Sequence, residues 1–349
     1  MHADVAVIGA GIVGLAVAFE TARDGVSVVC LDPAPGRLQS TGPGRIFRLT
    51  HDLAEAVVRA RAAEVAWRRW EADLGRTLID RGGCVVLGED ARAHAAALEA
   101  AGAEVRFARD GAALSLAAPL RPAGAPALLD AHGGVIDATG AVRLLAARVR
   151  PRARLVAGVE RDGDVVRLHT AQREVVTADQ LVIAAGTETR ALAATLGLEL
   201  PPAQRCRQVR LALRPAGALR TLACCFLDRR RSLPSGWSFY GLPLGDGIVA
   251  VGGDSTEAPF DAARCDPDES RRESERQVRD WLALHGEGAE FVGRVECVQA
   301  PVDVPGGAPY AITRAGPVVA VRGNNLFKFA PLIGADVRAE LQTRLTATA

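Results

Sequence analysis

Six residues near the start of the chain have the spacing of a nucleotide-binding turn. The segment Gly9–Gly14 reads GAGIVG, with glycine at its first, third and sixth positions. Glycines at this spacing allow a tight turn, a close approach of the backbone to a pyrophosphate, and close packing of a helix on a strand. The N–H groups and the positive dipole end of the following helix favour phosphates. The expected cofactor contacts in this turn are Gly9, Gly11, Ile12, Val13 and Gly14.

The surroundings of this turn indicate a complete dinucleotide-binding unit. An apolar strand, Val5–Ile8, precedes the turn, a helix is predicted over Gly11–Arg23, and a second buried strand, Val26–Leu31, ends at Asp32. An acidic residue at this place can accept hydrogen bonds from ribose hydroxyls. The alternative is a packing turn that binds nothing, and the position of Asp32 argues against it. FAD and NAD share this pattern, so the turn alone does not choose between them.

A second small-residue turn follows a later buried strand. Leu181–Ala184 is apolar, and Ala185 and Gly186 come directly after it. Small residues there would let the backbone pass close to a cofactor, although a plain packing turn explains them equally well.

The only lysine of the chain is a second candidate for chemistry. Of the 42 basic residues, all except Lys328 are arginine. A lysine that persists in such an arginine-rich chain suggests a position where a compact ammonium is needed and a planar guanidinium does not serve. The alternative is that a single lysine survived by chance.

A long helix is predicted over Asp52–Leu74. Asp52 and Glu55 resemble a capping box at its start, and Gly75 should end it. Apolar residues recur on one face at intervals of three and four, which predicts that Trp67 and Trp70 lie in the core. The neighbouring cysteines 224 and 225 are interpreted as buried strand residues.

The order of the remaining elements predicts an α/β fold. Strand and helix units begin and end the chain, while strands that look antiparallel occupy its middle, with a hairpin turn at Arg161–Asp164. We therefore expect a Rossmann-type dinucleotide-binding domain with an inserted, mainly antiparallel β-sheet substrate domain. The predicted boundaries are 1–80, 134–200 and 305–349 for the discontinuous cofactor domain, and 81–133 and 201–304 for the substrate domain.

Bulk composition excludes several other classes of protein. The net charge is +1, so no basic field suggests nucleic acid or an anionic membrane as partner. Seven cysteines at irregular spacing, without a CxxC pair, argue against a disulfide framework or a zinc site. The first apolar stretch contains three glycines and lacks a cationic leader, and no stretch is long enough to span a membrane. A cytoplasmic protein is expected, with its oligomeric state left open.

In the order of its motifs, the chain resembles the D-amino acid oxidase superfamily, and within it the sarcosine oxidase branch. The likeness extends over nearly the whole length. It rests on the Gly9 turn with Asp32, Gly44-Arg45-Ile46-Phe47-Arg48, Val159-Glu160 through Leu181–Gly186, Phe239-Tyr240-Gly241-Leu242-Pro243, and Phe327-Lys328-Phe329.

The resemblance implies FAD as cofactor and oxidation of an amine next to a carboxylate. Arg48 and Lys328 correspond to the cations that hold the carboxylate, and Tyr240 would line the pocket. Without the resemblance, Arg48 would be taken for one surface arginine among 41. The further cofactor contacts that the resemblance implies are Gly44, Arg45, Val159, Ala185, Gly186, Gly323, Leu326, Phe327 and Lys328.

Three departures from the branch bear on the chemistry. Ala308 stands where the branch has the cysteine that binds FAD covalently, so FAD should be non-covalent here. The lysine that assists oxygen reduction would fall near Ala250, and Asp254 replaces a neighbouring histidine. The glycine-rich loop before Phe327 is shortened to Gly323–Leu326. Slow reaction of the reduced flavin with oxygen is therefore expected.

The sequence favours an FAD-dependent oxidoreductase that oxidises the C–N bond of an amino-acid-like or cyclic amine or imine carboxylate, plausibly in secondary metabolism. One alternative is a non-catalytic flavoprotein that keeps the fold as a scaffold. A flavin monooxygenase is a second alternative, but its Gly-Asp turn would have to be Gly253-Asp254, which falls on the predicted substrate sheet.

Overall fold

The structure is a computed structural model that describes residues 1–37, 40, 42–120, 123–202, 206–230, 237–255, 267–286, 288–299, 302 and 304–345. Its strands are β1 (His2–Ile8), β2 (Val28–Asp32), β3 (Gly44–Phe47), β4 (Ile79–Asp80), β5 (Cys84–Gly88), β6 (Arg106–Ala108), β7 (Ala127–Asp130), β8 (Gly134–Asp137), β9 (Arg152–Ala153), β10 (Val156–Asp162), β11 (Val165–Thr170), β12 (Val175–Ile183), β13 (Cys206–Arg214), β14 (Cys225–Arg229), β15 (Trp237–Gly245), β16 (Ile248–Ser255), β17 (Glu290–Gln299), β18 (Tyr310–Ala315) and β19 (Val318–Gly323). The helices are α1 (Ile12–Thr21), α2 (Ala54–Leu74), α3 (Asp90–Ala100), α4 (Ala138–Val149), α5 (Thr189–Ala194), α6 (Pro267–His285) and α7 (Leu326–Leu345).

The first sheet has the strand arrangement of a Rossmann-type domain. Its parallel part runs β9, β2, β1, β12 and β19, and the hairpin of β10 and β11 joins it through β12. Strand β1 is buried on both faces because its residues alternate: Val5 and Val7 pack in one hydrophobic cluster, and Ala6 and Ile8 in another. Short parallel strands buried on both sides are typical of α/β domains.

Helices α1, α2 and α7 cover one face of this sheet. Gly334 lets α7 approach α1 closely, because a Cβ atom there would lie 2.7 Å from the carbonyl oxygen of Ala16. Trp67 and Trp70 of α2 are fully buried, as predicted, and the Trp67 Nε1 donates to the carbonyl oxygen of Lys328 at 2.7 Å. The core of this domain therefore fixes the first turn of α7.

The second sheet is mainly antiparallel and contains eight strands in the order β17, β13, β16, β15, β14, β5, β7, β6. Helix α6 covers one face, where Trp281 stacks on Phe226 and Phe239. The opposite face contacts β3, because Leu242 and Leu244 lie against Gly44. That face carries Tyr240, since Tyr240 and Leu242 are two residues apart on one strand.

A small third sheet, β3-β8-β4, holds the segment that leads into α2. Strand β3 contains Gly44 and Arg45, and Arg48 follows it directly. This places Arg45 and Arg48 between the two large sheets.

The architecture agrees with the predicted fold class, while the proposed domain boundaries stay a prediction. The capping box was wrong: α2 begins after Leu53 without a side-chain cap, because Asp52 pairs with His94 instead. Gly75 ends α2 in the left-handed conformation, as predicted. Within the described ranges, no helix is both long and apolar enough to cross a membrane.

Candidate cofactor and substrate site

The turn Gly9–Gly14 has no room for side chains at two of its glycines. A Cβ atom on Gly9 would lie 2.4 Å from the carbonyl oxygen of Ala184, and one on Gly14 would lie 1.8 Å from that of Gly9. Gly9 also has a φ of 101°, which L side chains rarely adopt. Ala185 lies against the same turn, so the structure brings the first two predicted cofactor segments together.

The start of α1 can receive an anion. Gly11 is its N-cap in an extended conformation, and the first turn contains no acidic residue. The Ile12 N–H donates to the hydroxyl of Ser40 at 2.9 Å, while Val13 and Gly14 follow in the same turn. Sequence reasoning missed Ser40. A glycine turn that leads into a helix whose N-cap residue has no side chain fits the pyrophosphate of FAD.

Asp32 lies at the end of β2, beside the glycine turn. Its carboxylate accepts the N–H of Ala10 at 2.7 Å and that of Ala34 at 2.6 Å. The side chain is partly exposed, so lone pairs remain for a ribose hydroxyl. The geometry is therefore compatible with the predicted ribose contact.

A short segment before the β10–β11 hairpin runs alongside Asp32. Arg152 and Ala153 pair with Leu31 and Asp32, and the Arg154 N–H donates to the carbonyl oxygen of Asp32. Val159 pairs with Leu168 further along the β10–β11 hairpin. The structure thus places the Arg152–Arg154 segment beside the acidic residue, and the cofactor contact expected at Val159 stays a prediction.

A third group of predicted cofactor residues meets between β3 and α7. The Arg45 guanidinium lies 5.5 Å from the centre of the Phe327 ring and donates to the carbonyl oxygen of Gly44 at 2.9 Å. Gly323 has a φ of 155°, and a Cβ atom there would lie 2.4 Å from the carbonyl oxygen of Pro309.

The shortened loop from Gly323 to Leu326 is held in place by a side chain. The Asn324 side-chain amide exchanges two hydrogen bonds with the backbone of Val302. This loop therefore delivers Leu326 and Phe327 to the first turn of α7 in a fixed orientation.

Arg48 and Lys328 are neighbouring basic residues that have no acidic ion-pair partner among the residues that the structure describes. Among the described residues, Arg48 makes one hydrogen bond, from Nη1 to the Thr50 hydroxyl at 3.2 Å. Lys328 is 4 % exposed, and its Nζ has one polar neighbour, the His51 Nε2 at 3.4 Å. Neither cation forms an ion pair in the described part of the chain. Such a pair is suited to hold a carboxylate.

Burial and neighbouring charge shift the protonation of this group. Burial, followed by the nearby Arg48 guanidinium, lowers the pKa of Lys328 well below its ordinary value. Burial, then Lys328 and Arg48, lowers the pKa of His51 well below its ordinary value. An incoming carboxylate would raise the pKa of Lys328 again, because an opposite charge favours the ammonium form.

A buried carboxylate positions the segment that carries Arg48. Asp130, at the end of β7, accepts the N–H groups of Leu49 and Thr50, and that of His132 at 3.0 Å. Since its oxygens are committed to backbone groups, Asp130 orders the turn between β3 and α2. Sequence reasoning gave no signal for Asp130 or for His51.

Tyr240 packs against a small apolar cluster that borders this region. Cys84, Cys225, Leu242 and Ala250 form the cluster, and Tyr240 packs against it. The Cys84 thiol is near enough to Arg48 and Lys328 for their charges to influence its pKa. The three predicted catalytic side chains therefore border one region.

The departures noted in the sequence lie in the same region. Ala250 is buried in β16 opposite Leu242, and Ala308 precedes β18. Gly253 and Asp254 lie within β16 and pair with Phe239 and Ser238. They form no turn at a cofactor, which disfavours the monooxygenase alternative.

Comparison with known families identifies the chain's relatives. The model of the family described as FAD dependent oxidoreductase matches residues 4–338. The chain belongs to this family. The predicted resemblance to the D-amino acid oxidase superfamily is confirmed, and this member of the family is an FAD-dependent oxidoreductase. A search of curated protein sequences gave no match.

Solved structures share the fold across the whole chain. A point mutant of NikD, titled an unusual amino acid oxidase essential for nikkomycin biosynthesis, is 23% identical, with 97% of this chain and 93% of that chain covered at a TM-score of 0.82. L-proline dehydrogenase from P. horikoshii is 17% identical over 98% and 94%, at 0.81. Glycine oxidase from Geobacillus kaustophilus is 19% identical over 98% and 95%, at 0.79.

Proposed function

We propose that this member of the family oxidises the C–N bond of an amine or imine that bears a carboxylate. The supporting observation is the neighbouring half-buried Arg48 and buried Lys328, neither of which forms an ion pair among the described residues. Such charges are costly to bury unless a ligand compensates them. The solved relatives include an amino acid oxidase, a glycine oxidase and a proline dehydrogenase, which supports an amino-acid-like substrate.

The site residues have separate tasks in this proposal. Arg48 offers two parallel N–H donors to the carboxylate, and Lys328 adds a compact charge. His51, neutral because its pKa is lowered, orients the Lys328 ammonium through Nε2. Tyr240 closes the side of the pocket formed by the second sheet. Together these contacts would hold the carbon next to the nitrogen in one orientation, which is the main contribution a protein makes to flavin chemistry.

The proposed cofactor is FAD, held without a covalent bond. The glycine turn and Asp32 would hold its adenosine diphosphate part, and Gly44, Arg45, Leu326 and Phe327 would border the flavin ring. When bound, FAD accepts the hydride equivalent that leaves the substrate carbon. Ala308 offers no thiol for a covalent link.

Anaerobic mixing of the purified protein with matched ligand pairs tests this function. Amino acids and cyclic amines with a carboxylate should bleach the flavin absorption, whereas the same amines without the carboxylate should bleach it poorly. If no member of a broad carboxylate panel reduces the flavin, the non-catalytic alternative is favoured. A role in secondary metabolism is part of the proposal, and identification of the bleaching substrate would test it.

A further inference from the structure

Arg210 is a buried cation to which the proposed function assigns no role. It lies in β13, is 5 % exposed, and donates from Nη1 to the carbonyl oxygen of Gly44 at 2.8 Å. Its Nη2 atom is buried and has no hydrogen-bond partner in the described structure. Among the described residues, no acidic group lies within ion-pair distance of Arg210. A buried group of this kind requires an explanation, since nearly all buried donors in proteins are satisfied.

The side chain of Arg210 lies on the face of the second sheet that carries Tyr240. In the strand register, Arg210 is opposite Gly252, and Gly252 is opposite Tyr240. A Cβ atom on Gly252 would lie 2.9 Å from the Arg210 Cγ and 2.4 Å from the Tyr240 Cζ. The absence of a side chain at position 252 therefore lets the arginine stem and the tyrosine ring meet over the strand.

The guanidinium of Arg210 ends beside that of Arg45. Both donate to the carbonyl oxygen of Gly44, at 2.8 and 2.9 Å. Both also border Gly42, where a Cβ atom would lie 3.0 Å from the Arg210 Nη2 and 3.5 Å from the Arg45 Nη1. Two guanidinium groups that share one carbonyl oxygen repel each other, and negative charge beside the buried Nη2 of Arg210 would relieve this repulsion.

We infer that Arg210 is a cofactor-binding residue whose charge stabilises the negatively charged reduced flavin ring. This rests on the proposed function, in which Gly44 and Arg45 border the flavin. The ring would bring the missing negative charge to the Nη2 of Arg210. Ala250, the position expected to carry a flavin-side lysine, lies on the neighbouring strand and on the same face, opposite Ala212. Arg210 of β13 would thus provide beside the flavin the positive charge that is missing at Ala250 of β16.

The midpoint potential of the bound FAD tests this inference. Arg210→Gln removes the charge and keeps a donor for the Gly44 oxygen. It should lower the potential by at least about 30 mV, which is tenfold in a two-electron equilibrium. Sulfite binding, which leaves a negative charge on the flavin, should weaken at least tenfold. Arg210→Lys keeps the charge and should stay within about threefold of the wild type.

Arg214→Gln is the matched control. Arg214 lies on the same strand, is exposed, and pairs with Glu290. Its loss should therefore change neither the midpoint potential nor the sulfite affinity. An unchanged potential and sulfite affinity in FAD-loaded Arg210→Gln would overturn the inference and leave the proposed function standing. A change confined to the affinity for a carboxylate such as benzoate would also overturn the inference, since Arg210 would then contact the substrate and not the flavin.

A folding defect is distinguished by a second neutral variant. If Arg210→Gln fails to hold FAD, Arg210→Met takes its place. Loss of FAD from both neutral variants, with FAD retained by Arg210→Lys, supports the role of the charge. Loss from all three would make Arg210 a structural link and overturn the inference. Failure of the wild-type protein to bind FAD would overturn the proposed function and this inference together.

Discussion

The Nζ of Lys328 lies 3.4 Å from the Nε2 of His51, and this contact joins the first turn of α7 to the segment before α2. The two residues are 277 positions apart in the chain. The Lys328 carbonyl oxygen also accepts the indole N–H of Trp67, so both the backbone and the side chain of Lys328 are held. The lysine is therefore not a solvent-exposed helix-start residue.

Lys328→Arg should impair the site although it conserves charge. A guanidinium is larger and planar, and it does not fit between His51 and Phe329, whose ring centre is 5.5 Å from the Lys328 Nζ. We expect turnover or carboxylate affinity to fall at least tenfold, about 1.4 kcal/mol. Steady-state kinetics and the flavin spectrum measure this. Wild-type kinetics together with a wild-type flavin spectrum would contradict the proposed role of Lys328. The control is Arg106→Lys, at an exposed site paired with Glu104.

His51 should make the protein less stable in acid. Its folded pKa lies below the ordinary value of about 6.5, so the unfolded chain binds more protons as the pH falls through that value. Between pH 7.5 and 5.5 the wild type should lose more unfolding free energy than His51→Gln, by up to about 1.4 kcal/mol.

Urea unfolding of the FAD-loaded proteins at the two pH values gives this difference. His2→Gln, which changes an exposed histidine in β1, is the matched control. Equal slopes in wild type and His51→Gln would show that His51 does not titrate as described.

The purified protein should be yellow and should release its flavin when denatured. Ala308 offers no nucleophile for a covalent bond, so the colour should appear in the supernatant after acid precipitation and match free FAD by chromatography. Colour that stays with the pellet would point to an attachment at Cys297 or a histidine.

Local patterns were sufficient to predict the glycine turn and the strand-helix-strand unit around it. The glycines of Gly9–Gly14 and the acidic Asp32 act within one strand-helix-strand unit, where spacing determines geometry. The same holds for the buried tryptophans of α2, because the helical period places them on one face. Asp52 shows the limit of such reasoning: its spacing to Glu55 suggests a cap, but His94, from a different helix, takes the carboxylate.

Residues that act through long-range pairing could not be predicted. Arg210 becomes conspicuous only when the sheet register places it opposite Gly252, beside Tyr240. In a sequence where nearly every basic residue is arginine, nothing marks position 210.

Arg48→Ala is the measurement that tests the carboxylate-binding site most directly. The change removes one of the two cations and should leave FAD content near normal, because Arg48 is outside the Gly9–Gly14 turn. The dissociation constant of a carboxylate inhibitor, followed by the flavin absorption, should rise roughly 30- to 1000-fold, about 2–4 kcal/mol. Arg167→Ala, at an exposed ion pair with Asp162, should bind the inhibitor as the wild type does. A dissociation constant that is unchanged in Arg48→Ala would contradict the account.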